Sequence, residues 1–154
     1  MKRTFVLFIL TVSLSVAHAP TNILDELRLL GYDLVDRTID PSGWEKNTFG
    51  AVTIRLIEMK SKNEVPSWPH TYYRFVLEVD EFAHSADATA RLNGMRMEPP
   101  GLSAEKHKSF PLRDGFQFDS HVYILSTDVA SFYDEQSSLI LNGLHRYLAA
   151  DGND

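Results

Sequence analysis

The chain has 154 residues, no cysteine and a formal net charge of −6. Without cysteine there is no disulfide framework, and there is no residue for the lipid anchor of a bacterial lipoprotein. The acidic balance disfavours nucleic acids and anionic membranes as partners, because no basic patch of convincing size stands out along the sequence.

The N-terminus has the three parts of an export signal. Lys2 and Arg3 give a charged start, residues 5–16 form an apolar run, and small residues follow. The run is shorter than the ~20 apolar residues that span a membrane. We therefore expect a signal peptide of residues 1–17, or 1–19 if cleavage falls just before a proline, and a periplasmic or secreted protein without a membrane anchor. The alternative is an uncleaved N-terminal anchor.

The first half of the expected mature chain predicts one helix and three strands. Asn22 can cap the helix, Ile23 and Leu27 begin a buried stripe, and Gly31 follows its end. A turn at residues 40–43 and a polar loop at residues 60–70 separate the strands, which we place at residues 32–39, 49–59 and 72–82.

The second half predicts a helix, two strands and a last helix. The first of these helices starts at Ser85 and stops at residues 98–101, where two prolines and a glycine follow one another. The two strands lie within residues 110–127. Their turn is either Asp114-Gly115, the stronger hairpin signal, or Asp119-Ser120, and residues 116–125 could also form one long strand. The last helix covers about residues 128–149, with an inner face of Ile140, Leu141, Leu144 and Leu148, and residues 151–154 form a tail.

Alternation along the strands predicts the faces of a sheet. In the third strand, Phe75 and Leu77 point inward while Arg74, Glu78 and Asp80 point outward. In the second strand, the pattern predicts that Val52, Ile54 and Leu56 point inward. It leaves Ile57 on the wet face, together with Val76 of the third strand.

One apolar and one wet face are typical of an antiparallel sheet covered on a single side. We therefore predict one α+β domain over residues 20–150, with about five antiparallel strands and helices packed on one face. The predicted order is α-β-β-β-α-β-β-α, with a short ββα pseudo-repeat.

Trp68 is the foremost candidate binding residue. It lies between Pro66 and Pro69, which restrict the backbone, so that the indole would offer a rigid contact at low entropic cost. His70 and His107 are expected at the same end of the sheet. The alternative is that Trp68 folds back and caps the edge of the sheet.

No catalytic motif, metal-ligand spacing or cofactor loop is present. We therefore expect a non-enzymatic binding or accessory module that uses the Trp68 end or the exposed face of the sheet, with an unidentified partner that could be a protein. A second hypothesis is a small hydrolase or metal-dependent enzyme with a site among His84, Asp80 and His121. A third is a structural domain that oligomerises through its open sheet face, since a few apolar residues are expected there.

Overall fold

The computed structural model describes residues 23–97, 112–127 and 133–151. The predicted signal peptide, His107 and residues 152–154 lie outside these ranges.

The described residues form one open antiparallel sheet with helices around it. The strand order is β1-β2-β3-β5-β4, so that β1 and β4 are the edges. The α+β class, the five strands and their predicted order among the main helices are confirmed. The elements are α1 (Ile23–Leu29), β1 (Tyr32–Ile39), α2 (Gly43–Phe49), β2 (Ala51–Glu64), β3 (Tyr72–Phe82), α3 (Ser85–Met97), β4 (Leu112–Phe118), β5 (His121–Thr127) and α4 (Tyr133–Asp151).

Helix α2 occupies a segment that the sequence predicted as a turn and loop. A capping box starts it: the Ser42 side chain accepts from the backbone of Glu45, and the Glu45 carboxylate accepts from the backbone N–H of Ser42 at 2.7 Å. Gly50 ends the helix with a φ of 72°, a left-handed conformation that glycine adopts without strain. The Ser-x-x-Glu spacing was therefore a helix signal, although α2 buries none of its residues.

Of the two β4–β5 turns that the sequence leaves open, the structure has the one at Asp119-Ser120, with Asp119 at a φ of 51°, whereas Asp114-Gly115, the stronger hairpin signal, lies inside β4. Strand β2 continues to Glu64, so that only the second part of the predicted 60–70 loop is a turn. A register shift between Lys60 and Glu64 accommodates the extension.

Helices cover both faces of the sheet, so that the prediction of helices on one face is wrong. Helices α1 and α4 cover the first face, which holds Tyr32, Ile57, Leu77 and Tyr123. Helix α3 packs on the second face, against Phe82, Val122 and Ile124. The reason lies in β5, whose residues Val122 to Thr127 are all buried, which requires a cover on each side.

Of the three residues of β2 that were predicted to point inward, Ile54 is buried, but the other two are not. Ile57 is fully buried in the α1–α4 core, whereas Leu56 is half-buried on the second face. Val52 is 52% exposed, beside a register shift between Ala51 and Thr53. Strand β2 carries apolar residues in both phases, and alternation alone could not choose between them.

Candidate functional site

Helix α3 covers only part of the second face of the sheet and leaves an open depression over β1, β2 and β3. This depression, which we call the sheet trough, has a volume of about 560 Å³. That volume falls within the ~300–1,000 Å³ range of pockets that hold small molecules. Its lining combines an apolar floor with charged side chains around it. The lining residues include Val35, Arg37, Leu56, Glu58, Lys60, Arg74, Val76, Glu78 and Arg113.

Three cations gather at the end of the sheet trough that lies nearest the β2–β3 turn. Lys60 and Arg74 are direct partners in the register of β2 and β3, so that their side chains leave the sheet side by side. Arg113 of β4 pairs with Ser126 of β5, which in turn pairs with Val76, and this brings a third cation toward the same region. Like charges placed directly opposite each other destabilise a sheet, and an anion between them would remove this repulsion.

The floor of the sheet trough is apolar. Val35, Leu56 and Val76 come from three neighbouring strands and share the second face. Val35 is 62% exposed at the centre of β1. The floor therefore offers hydrophobic area that no described part of the chain covers.

Two of the carboxylates that line the sheet trough are already paired with arginines. Arg37 donates to Glu58 at 2.7 Å, and Arg91 of α3 donates to Glu78 at 3.1 Å. Asp33, the third carboxylate, is the register partner of Lys60. Lys60 and Arg74 therefore place two positive charges beside the single carboxylate of Asp33 at this end, although the whole chain carries a formal net charge of −6.

A buried ion cluster lies beside the sheet trough, beneath α3. Arg91 Nε donates to Asp80 Oδ2 at 2.9 Å, and both side chains are almost completely shielded from solvent. Trp44 and Phe49 of α2 place their rings 5.8 and 5.6 Å from the Arg91 guanidinium. Among the described residues, Asp80 Oδ1 and Arg91 Nη1 have no hydrogen-bond partner.

Burial raises the pKa of Asp80, and the nearby Glu78 carboxylate raises it further, whereas the Arg91 guanidinium opposes both effects. The cluster therefore has one arginine for two carboxylates, and its burial favours the protonated form of Asp80. Because Asp80 is 0% exposed, its carboxyl group is out of reach of a ligand in the sheet trough.

Trp68 is 58% exposed in the turn between β2 and β3. Its backbone N–H donates to the Val65 carbonyl at 3.0 Å, and its own carbonyl accepts from the backbone N–H of Thr71 at 3.2 Å, which fixes the turn. His70 is almost fully exposed, and its Nδ1 lies 3.4 Å from a carboxylate oxygen of Glu64. The turn projects from the same end of the sheet as Lys60 and Arg74, so that the structure places Trp68 beyond the positive end of the sheet trough.

The structure does not bring together the residues of the enzyme hypothesis. Asp80 pairs with Val122 and therefore shares its face, which leaves the neighbouring His121 on the opposite face. His84 is exposed just before α3. Within residues 23–97, 112–127 and 133–151, no group of three or more His, Asp or Glu residues is arranged to hold a metal ion.

Sequence reasoning named the exposed face of the sheet but missed the residues that form the site. Lys60 was assigned to a loop and Arg74 to a solvated face, and only the strand register shows that they are neighbours. Arg91 carried a weak signal, since a lone arginine on the apolar side of a helix requires a buried partner.

Comparison with known proteins gives no relative from which a function could be transferred. No family model matches the chain, and neither the curated proteins nor the solved structures contain a match. In the part of the chain that the structure describes, none of the helices has the length and apolar character needed to span a membrane.

Proposed function

We propose that this protein is an exported binding domain that holds a small organic anion with an apolar body in the sheet trough. The observation that carries the proposal is the convergence of Lys60, Arg74 and Arg113 at one end of an apolar, open floor. The expected export rests on the charged, apolar and small-residue pattern of the N-terminus.

The two halves of such a ligand have separate partners. A carboxylate or phosphate group would accept charge-assisted hydrogen bonds from Arg74 and Arg113, whose planar guanidinium groups suit bidentate contact, and from Lys60. An alkyl or aryl body would cover the floor formed by Val35, Leu56 and Val76, where each Å² removed from water contributes about 25 cal/mol. Because the site is open, its electrostatic part is screened by salt.

The proposal is tested with decanoate as the probe, by calorimetric titration of the purified protein at low and high salt. Decanoate should bind, whereas acetate, which lacks the apolar body, and decanamide, which lacks the charge, should bind at least about tenfold more weakly, a loss of ~1.4 kcal/mol each. Decyl phosphate should bind as well, since the same cations would hold its head group.

The matched variants separate the sheet trough from general surface charge. Lys60→Gln together with Arg74→Gln should weaken decanoate binding about tenfold or more. Lys62→Gln alters an exposed lysine of the same strand outside the trough lining and should leave binding unchanged. Binding that is equal for decanoate and decanamide, or unaffected by the double variant, would reject the sheet trough as an anion site.

A further inference from the structure

We propose that two copies of this chain pair through strand β1 in one defined antiparallel register. In the sheet formed by the described residues, strand β1 is an edge and bonds to β2 alone. It spans eight residues without a proline and without a register shift in its pairing. Such an edge presents a row of unpaired backbone groups to another strand. This proposal does not depend on the proposed ligand.

The hydrogen bonds of β1 to β2 determine which backbone groups face outward. Lys62 N–H donates to the Gly31 carbonyl at 2.9 Å, so that Gly31 and Lys62 form the pair next to Tyr32 and Ser61 in the same register. In an antiparallel pair, residues that bond to the neighbour alternate with residues that point away. The odd-numbered positions from Gly31 onward therefore bond to β2, and the outward N–H and C=O groups belong to Tyr32, Leu34, Asp36 and Thr38.

The charges of β1 complement each other when the strand meets its own copy. In the register centred on Val35, Asp33 lies opposite Arg37 of the partner subunit, and the same contact recurs on the other side of the twofold axis. Leu34 then lies opposite Asp36 of the partner subunit, and both contribute outward backbone groups that can bond. This arrangement is an isologous interface, in which the same patch serves both copies.

Neighbouring registers lack this complementarity. A twofold axis at Asp36 places the two copies of that carboxylate against each other, which is destabilising. An axis at Leu34 sets Asp33 against Val35 and leaves the charges without partners. The register centred on Val35 also pairs nearly the whole strand, and it brings together two Val35 side chains that are each 62% exposed. Charge and strand length therefore select the same pairing.

The bonds that stabilise the monomer remain intact in this dimer. Arg37 keeps its contact with Glu58 at 2.7 Å through one amino group, and a guanidinium has further donors for Asp33 of the partner subunit. Asp36 is held by two hydrogen bonds from Arg55, at 2.8 and 2.7 Å, and its backbone alone would join the new ladder.

The test is sedimentation velocity of the purified protein over a concentration series. The wild-type protein should shift from monomer to dimer as the concentration rises. Asp33→Arg places like charges at both symmetric contacts and should weaken the dimer about tenfold or more, a change of ~1.4 kcal/mol or more. Arg37→Asp should do the same. Glu135→Arg, an equal change of charge on the exposed start of α4, should leave the dimer unchanged.

Two rescue experiments fix the register. The double variant Asp33→Arg/Arg37→Asp exchanges the charges and should dimerise again. An equimolar mixture of the two single variants should form a heterodimer, because each copy then meets the opposite charge. A wild-type protein that stays monomeric up to ~1 mM overturns the proposal. A dimer insensitive to both single variants, or not restored by exchange or mixing, overturns it too. The Lys60→Gln/Arg74→Gln variant should still dimerise.

Discussion

Replacing Asp80 by asparagine should remove a pH dependence of stability that the wild-type protein shows. The fold raises the Asp80 pKa from its ordinary 3.8 to about 8, first by burial and then by the Glu78 carboxylate. Between these two values the folded protein keeps a proton that the unfolded chain has released. The free energy of unfolding therefore falls as pH rises through this window, and the contribution is complete only below the unfolded value.

The size of the effect follows from the single proton involved. One proton held by the folded state and not by the unfolded state gives a slope of at most about 1.4 kcal/mol per pH unit. In the Asp80→Asn variant, the side-chain amide would still accept a hydrogen bond from Arg91 and would have the charge of the protonated acid. The stability of this variant should therefore change less with pH. The free energy of unfolding of the wild type minus that of Asp80→Asn should decline as pH rises.

The measurement is urea unfolding of both proteins at a series of pH values between 3.8 and about 8. Asp36→Asn is the matched control, because the hydrogen bond from Arg55 lowers the pKa of Asp36. The contribution of Asp36 is lost only as pH falls below its ordinary value of 3.8, so that the difference in unfolding free energy between wild type and Asp36→Asn should stay flat across this series. A wild-type minus Asp80→Asn difference that stays flat, or rises with pH, would refute the assignment of the proton to Asp80.

Two further predictions concern packing and processing. Gly115→Ala should destabilise the fold by ~1–3 kcal/mol in urea unfolding, because its Cβ would overlap the Tyr123 carbonyl oxygen on the neighbouring strand. Gly143→Ala should stabilise by up to ~1 kcal/mol, because Gly143 lies within helix α4 and its Cβ would meet Leu30 at an ordinary contact distance of 3.4 Å. Equal effects of Gly115→Ala and Gly143→Ala on stability would contradict the packing. Mass spectrometry of exported protein should find a chain that starts at His18, and an intact Met1 would refute cleavage.

The elements that were predicted correctly had a complete local signal. Strand β1 lies between a helix-ending glycine and a turn, and its bounds match the prediction of residues 32–39. Strand β3 has its longest run of apolar residues in one phase, and Phe75 and Leu77 of that run are buried as expected. Glu78 does face away from them, but it contacts Arg91 rather than bulk solvent.

The elements that were missed depended on contacts between distant parts of the chain. The phase of β2 is set by which apolar residues α1 and α4 cover, and this choice is invisible in the strand itself. Helix α3 lies on the second face because β5 is buried on both sides, and its Arg91 pairs there with Asp80 of β3. The candidate site needs the register of three strands, because Lys60 and Arg74 become neighbours only there.

Strand β5 belongs to two cores at once, and this affects how the protein opens. Val122 and Ile124 pack in the core under α3, whereas Tyr123 and Leu125 pack in the core under α1 and α4. Neither core can separate from the sheet without exposing one side of this strand. The amide protons of β5 should therefore exchange with solvent only through global unfolding, while those of the edge strand β1 should exchange through local opening in the monomer. The two cores thus form one cooperative unit, coupled through a single strand.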